Sequence, residues 1–200
     1  LPTNKDLMLD NKKIKRALTR IAHEILEHNS GAESLVIIGI VTRGVFLAQR
    51  IARIIEELET IKVPVGLMDI SLYRDDVHSK LDQPVIQRTE ILFDIKDRNV
   101  ILVDDVLYTG RTIRAALNQI NDFGRPRTIQ LAALVDRGHR ELPIKADYVG
   151  INIPTAKTDQ VVLEVSEKEG SDSVYVIRGS NQPAEKKKKT AKPKKKEGKK

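Results

Sequence analysis

A chain of 200 residues and 22.5 kDa has room for one ordinary domain and a tail, and not for two full domains. Its 40% apolar residues support a packed core and exclude a wholly disordered chain, and no apolar run reaches the ~18–20 residues of a membrane helix. The net charge of +7 is unevenly spread: Pro183–Lys200 holds ten lysines against two glutamates, a charge of +8 that leaves the body at −1.

Asp10 is a good N-cap, and Ile14, Leu18, Ile21 and Ile25 follow at helical spacing, with Gly31 expected to close the helix. LVIIGI (Leu35–Ile40) is the pattern of a strand buried on both faces. The loop VTRG leads into a second amphipathic helix carrying Leu47, Ile51, Ile54 and Leu58. VPVGLMDISLY (Val63–Tyr73) is the next strand region, and RDDVHSKLDQP (Arg74–Pro84) is expected as a long mobile loop. A short strand is expected at ILFDI (Ile91–Ile95) and a buried one at VILV (Val100–Val103). The polar loop DDVLYTGRT then enters a helix running to about Phe123, which Gly124 and Pro126 end. IQLAALV (Ile129–Val135) is another buried strand, and DYVGINIP, VVLEV and VYVI supply shorter ones. Pro183–Lys200 has no apolar residue larger than alanine and is expected to be a disordered tail beyond a folded domain over 1–182. Such a tail either attracts nucleic acid non-specifically or serves only as a solubilising extension.

Apolar strands alternating with helices predict an α/β fold, a mostly parallel sheet with helices on both faces. Ligands of such sheets sit outside the carboxyl ends of the strands. The loops VTRG, DDVLYTGRT and DRGHRE leave those ends, and each holds Arg with Gly. There is no cysteine, which excludes disulfides, thiolate zinc sites and a Cys nucleophile. LPTNKDLMLDNKK has no apolar core of a secretory signal, so the expected compartment is the cytoplasm, with no membrane partner.

The most informative stretch is VILVDDVLYTGRT (Val100–Thr112). A strand ends in the carboxylates Asp104 and Asp105, and Thr109, Gly110 and Thr112 lead into a helix start. Amides and hydroxyls at a helix N-terminus cradle a phosphate monoester, and Gly110 permits close approach. Carboxylates repel phosphate, so they suit ribose hydroxyls or a magnesium ion shared with a diphosphate. Together these features fit a 5′-phosphorylated ribose. Neither GxxxxGK[ST] nor GxGxxG occurs.

This stretch resembles the phosphoribosyl-diphosphate motif of type I phosphoribosyltransferases. IKRALTRIAHEI, GIVTRG, DISLYRDD and VDRGHRELPIKADYVGINIPT, in this order, resemble one branch of them. That branch is the PyrR family, bifunctional pyrimidine-operon attenuators and uracil phosphoribosyltransferases. The resemblance covers about Leu9 to Val165 and leaves out the lysine tail. It implies a small hood over the sheet, and the conversion of uracil and phosphoribosyl diphosphate into UMP and diphosphate. Asp104 and Asp105 would take the ribose hydroxyls, with Mg2+ carried by the substrate and shared with them. Thr109, Gly110, Arg111 and Thr112 would cradle the 5′-phosphate. Thr42, Arg43 and Gly44 would form the diphosphate loop, which in type I enzymes often contains a non-proline cis peptide. Tyr73 and Arg74 would sit in a loop closing over the substrate. Arg43, Arg74 and the magnesium would offset charge on the departing diphosphate. Asp136 and Arg137 would lie near uracil.

On the first helix, Arg16, Arg20, His23 and Glu27 follow at steps of four, three and four, with Thr19 alongside, on a face away from the apolar stripe. Spacing alone makes this a solvated polar face, and Glu24 and Glu27 keep it from being purely basic. In the PyrR family a basic surface binds a stem-loop in the leader mRNA of pyrimidine genes, and UMP promotes that binding. Arg16, Thr19, Arg20, His23, His139, Arg140 and Lys145 match that pattern. His28 and Ile151 stand where the family resemblance leads one to expect basic residues. The implied mechanism is linkage: UMP and RNA tighten each other's binding by one factor. A homo-oligomer, dimer or larger, is expected to build the RNA face. Two alternatives stay open, a uracil phosphoribosyltransferase without RNA regulation and a transferase for another base such as hypoxanthine.

Overall fold

The structure, a computed structural model, describes residues 5–71 and 89–179. In chain order it contains β1 (Lys5–Asp10), α1 (Asn11–Asn29), β2 (Leu35–Ile40), α2 (Arg43–Glu59) and β3 (Val65–Met68). Then follow β4 (Asn99–Leu107), α3 (Arg111–Ile120), β5 (Thr128–Asp136), β6 (Tyr148–Asn152), β7 (Gln160–Glu164), α4 (Ser166–Glu169) and β8 (Ser173–Ile177).

The main sheet has the order β3-β2-β4-β5-β6, and every pairing in it is parallel. The central stretches of its strands are apolar because both faces are covered. Leu35 and Ile37 of β2, Ile101 and Val103 of β4 and Ala132 and Leu134 of β5 pack with α1 and α2. The residues between them, Val36, Ile38, Leu102 and Ala133, pack on the opposite side with Ile113, Ala116 and Ile120 of α3. Burying a Leu or Ile side chain contributes about 1.5–3 kcal/mol, so these stripes drive the layering.

The hood is an antiparallel sheet of order β1-β8-β7. Lys5 pairs with Ile177, so the two ends of the described chain meet there. Leu9, Leu163, Val165, Val174 and Val176 of the hood join the core beneath α1 and α2.

Several elements differ from the sequence expectation. β1 and the short α4 carry no pattern that marks them. The strand expected over Val63–Tyr73 is confined to Val65–Met68, and Tyr73 lies outside the described residues. ILFDI forms no strand: Glu90 makes one bridge to Leu67, Ile91 and Phe93 pack against the α3-side core, and Leu92 is 91% exposed. β4 continues to Leu107, because the ladder to β5 persists through Asp104↔Ala133 and Leu107↔Asp136. Ser30, at φ 55, takes the left-handed closing position of α1, and the Gly31 N–H then donates to Leu26 O. Arg74–Pro84 and the tail Pro183–Lys200 lie outside the described residues.

Candidate functional site

The first wall of the site comes from the turn between β2 and α2. The Val41–Thr42 peptide is cis, and α2 begins at Arg43. This turn is packed closely. A Cβ on Gly39 would lie 2.5 Å from Val45 Cα, and one on Gly44 would lie 2.5 Å from Val103 O. Glycine at 44 thus lets the first turn of α2 rest on the end of β4, beside Asp104. Arg43 reaches the hood, where its Nη2 donates to Glu169 Oε1 at 2.7 Å.

The second wall is the acid pair. Asp104 is buried at 5% exposure and Asp105 is half-buried. Across them the strand slips phase by one residue. Val103 and Val106 both pack on the α1–α2 side, whereas Leu102 and Leu107 pack on the α3 side. The slip coincides with local side-chain bonding: Asp105 N–H donates to Asp104 Oδ1 at 3.0 Å and Val106 N–H to Asp105 Oδ1 at 2.8 Å.

The third wall is the start of α3. A cavity of about 270 Å³ is lined by Asp104, Thr109, Gly110, Arg111, Thr112 and Glu141 among others. Gly110 precedes the helix at φ 93 and has no side chain to cap it, and Thr109 Oγ1 accepts from the Arg111 N–H at 3.4 Å. A helix start of this kind, with Thr hydroxyls beside it, can hold an anion, and here a carboxylate lies at the far side of the cavity. The loop after β5 braces it. Glu141 N–H and Leu142 N–H donate to Thr109 O, and Arg111 Nε donates to Glu141 at 2.7 Å.

The structure joins Asp136, Arg137, His139 and Arg140 in one hydrogen-bonded loop. Asp136 accepts from Gly138 N–H at 2.9 Å and from the Arg140 guanidinium. Arg140 also donates to Tyr108 O at 2.8 Å and Ile144 O at 2.9 Å, tying the loops after β4 and β5 together. Arg137, 7% exposed, donates to Thr155 Oγ1 at 3.1 Å and Ala156 O at 2.9 Å. The His139 ring nitrogen lies 2.6 Å from Thr155 O. Lys145 is exposed.

On α1, Arg16, Thr19, Arg20 and His23 share an open groove of about 540 Å³ with Lys12 and Lys15. Those two lysines were not singled out from the sequence, although Lys12 to Arg16 and Lys15 to Thr19 are each spaced i, i+4, which puts them on this face. Arg20 pairs with Glu24 at 2.6 Å and donates to Val149 O and Gly150 O, which docks the helix on β6. His28 and Ile151 both have packing partners: the His28 ring meets Tyr148 edge-on at 6.0 Å, and Ile151 packs against the core. Glu141, Thr155 and Glu169 also reach this region and were not singled out, because each does so only through tertiary contacts; Tyr108, also passed over, lies inside the loop DDVLYTGRT itself. Tyr73 and Arg74 lie outside the described residues.

The phosphoribosyl transferase domain family matches residues 5–169. The chain is 59% identical over 173 residues to the bifunctional protein PyrR of Deinococcus radiodurans, covering 86% of this chain and 94% of that protein. It is 53% identical over 173 residues to the bifunctional protein PyrR of Enterococcus faecalis, covering 86% and 97%. In fold it resembles a hypoxanthine-guanine phosphoribosyltransferase of Bacillus anthracis, with a TM-score of 0.65 and 20% identity over 86% of this chain and 97% of that one. The hypoxanthine phosphoribosyltransferase of Trypanosoma cruzi gives 0.65 and 19% over 87% and 97%.

Proposed function

The chain belongs to the PyrR family of phosphoribosyl transferase proteins, and from this we propose that it is bifunctional. It transfers phosphoribosyl from phosphoribosyl diphosphate to uracil, giving UMP and diphosphate, and it regulates pyrimidine genes by binding their leader RNA when UMP is bound. One observation carries the transferase half: Asp104 shares a cavity with the Thr109–Thr112 cradle at the start of α3.

The donor's 5′-phosphate takes the amides and hydroxyls of Thr109, Gly110, Arg111 and Thr112. Asp104 and Asp105 accept from the ribose hydroxyls. Thr42, Arg43 and Gly44 face the diphosphate, and Arg43 offsets the charge it gains on leaving. Tyr73 and Arg74 are assigned to the same donor. The side chains of Asp136 and Arg137 already have partners within the chain. They therefore shape the base pocket, and backbone groups of the same loop meet the edges of uracil. Two strand-end carboxylates suit Mg2+ held chiefly by the donor's oxygens, since no group of three or more His, Cys, Asp or Glu forms a cage among the described residues. Magnesium supplies charge neutralisation at the diphosphate.

The RNA half rests on the α1 face of Lys12, Lys15, Arg16, Thr19, Arg20 and His23, in a homo-oligomer that enlarges it. His139, Arg140 and Lys145 are assigned to the same RNA, the first two through the loop they hold. One observation favours a second reading, a transferase without RNA regulation. Ile151 packs against the core and offers phosphate nothing, and His28, though exposed, lies edge-on to Tyr148.

The test is UMP formation from uracil and magnesium phosphoribosyl diphosphate with hypoxanthine as competitor, followed by leader stem-loop binding with and without UMP. Turnover of uracil and UMP-tightened RNA binding are expected. Turnover of hypoxanthine instead refutes the uracil assignment, and RNA binding indifferent to UMP selects the second reading.

A further inference from the structure

Two arginines on one face of α2, Arg43 and Arg50, grip the same part of the hood in different ways. Arg50 is saturated. Its Nε and Nη2 donate to Glu167, its Nη1 and Nη2 to Asp172, and Nη2 also meets Ser166 Oγ. Both carboxylates are held by forked pairs, the strongest geometry an arginine offers. Among the described residues Arg43 is held by one bond, Nη2 to Glu169 Oε1 at 2.7 Å, and its buried Nε meets no hydrogen-bond partner. A buried donor left unsatisfied destabilises that arrangement. Glu169 itself is fixed: its second oxygen accepts from Val165 N–H at 2.8 Å across α4, which aims Oε1 at Arg43.

We infer that Glu169 is a positioning residue that holds Arg43 against the hood, so that the diphosphate of the donor must take Arg43 from it. The inference rests on the transferase reading above and deepens it. A diphosphate presents several anionic oxygens and satisfies a guanidinium fork, whereas Glu169 satisfies one nitrogen. Arg50 keeps the hood in place throughout, so the exchange at Arg43 needs no detachment of α4. The Arg43–Glu169 pair therefore sets the affinity for the donor.

The experiment is calorimetric titration of the full chain with magnesium phosphoribosyl diphosphate, for wild type, Glu169→Gln, Arg43→Gln and the double variant. Glutamine keeps an oxygen for the Val165 N–H and loses the charge that pairs with Arg43. Glu169→Gln is expected to bind the donor about fivefold more tightly, in the range set by a partly exposed ion pair. In the Arg43→Gln background the same change is expected to have no effect, whereas a general charge effect would persist. A thermal melt of each variant guards against misfolding. Unchanged or weaker binding in Glu169→Gln, or equal tightening without Arg43, overturns the assignment. A wild-type chain that binds no donor overturns the transferase reading instead.

Discussion

The guanidinium of Arg137 lies over the ring of Tyr108, 4.1 Å from its centroid. The stack fastens the loop after β5 to the loop after β4, the two segments that enclose the proposed substrates. Arg137 also donates to Thr155 and Ala156, so three parts of the chain meet on one buried side chain.

Arg137→Ala should therefore cost more than a surface arginine would. It removes charge-assisted bonds and leaves a void, and a loss of about 2–3 kcal/mol is expected by urea unfolding. Tyr108→Ala, which removes the stack and the edge-on contact with His139, should cost about 1 kcal/mol. Arg137→Lys should recover little, since an ammonium has neither the plane for the ring nor the fork for both oxygens. A stable Arg137→Ala variant with an unchanged KM for uracil would contradict a role in shaping the base pocket.

Asparagine at 104 or 105 keeps an oxygen for the following backbone N–H, so the strand slip should survive. Each carboxylate, however, loses its charge toward the ribose. Turnover of Asp105→Asn should fall about 10²-fold, the scale of losing one preorganised polar contact at a transition state, while the melting temperature stays near wild type. Steady-state kinetics and a thermal melt decide it, and wild-type turnover would remove Asp105 from the mechanism.

Gly44 gives a purely steric prediction. A methyl group there meets Val103 O at 2.5 Å, a backbone atom that cannot turn aside. Gly44→Ala must push α2 off β4, at about 1–3 kcal/mol for overpacking, and displaces the loop carrying Thr42 and Arg43. Both stability and donor affinity should fall together, by unfolding and by titration.

The parallel sheet was legible because its strands are apolar on both faces, a pattern few other structures produce. The cavity at the start of α3 was legible because the acid pair, Thr109, Gly110 and Thr112 are adjacent in sequence. The hood was less so: β1 is mostly exposed, and its register is set by pairing with β8, at the far end of the described chain. Glu169 and Tyr108 acquire their roles from contacts across 126 residues in one case and between neighbouring loops in the other. No local pattern announces Glu169, and although Tyr108 lies within the loop DDVLYTGRT, its stack on Arg137 is not local. The Ile91–Ile95 expectation failed because alternating burial there comes from packing beside α3, not from a ladder.

Acid should loosen the hood first. Hydrogen bonds from Lys5 and Ser173 hold the Glu164 carboxyl below its ordinary range. Asp159 is held low by the Ala156 and Gly179 amides and by Arg178, and these overcome its burial. At Asp172 burial pushes upward and is outweighed by Arg50 and the Ser166 N–H. Folded pKa values below the unfolded ones mean that this stability is complete above the unfolded carboxyl values of ~4 and is lost as pH falls through the folded ones. The melting temperature should therefore drop steeply below about pH 4. Asp159→Asn should start lower at neutral pH and show a shallower acid decline; a parallel decline would show that Asp159 is not among the groups responsible.

The α1 face yields a salt test. Arg16 is exposed in the groove with Lys12 and Lys15, whereas Arg20 spends two bonds on the Val149 and Gly150 carbonyls. If Arg16 meets phosphate, Arg16→Ala should weaken leader RNA binding across sequences and reduce the slope of log K against log salt by about 0.7–0.9. Arg20→Ala should in addition lower the melting temperature, because it undocks α1 from β6. The ten lysines of Pro183–Lys200 add their own counterion release, so the slopes are compared in a form ending at Asn181 as well as in the full chain. A slope that Arg16→Ala leaves unchanged in both forms would take α1 out of the RNA interface. A slope that collapses only when the tail is removed would assign the RNA attraction to the tail.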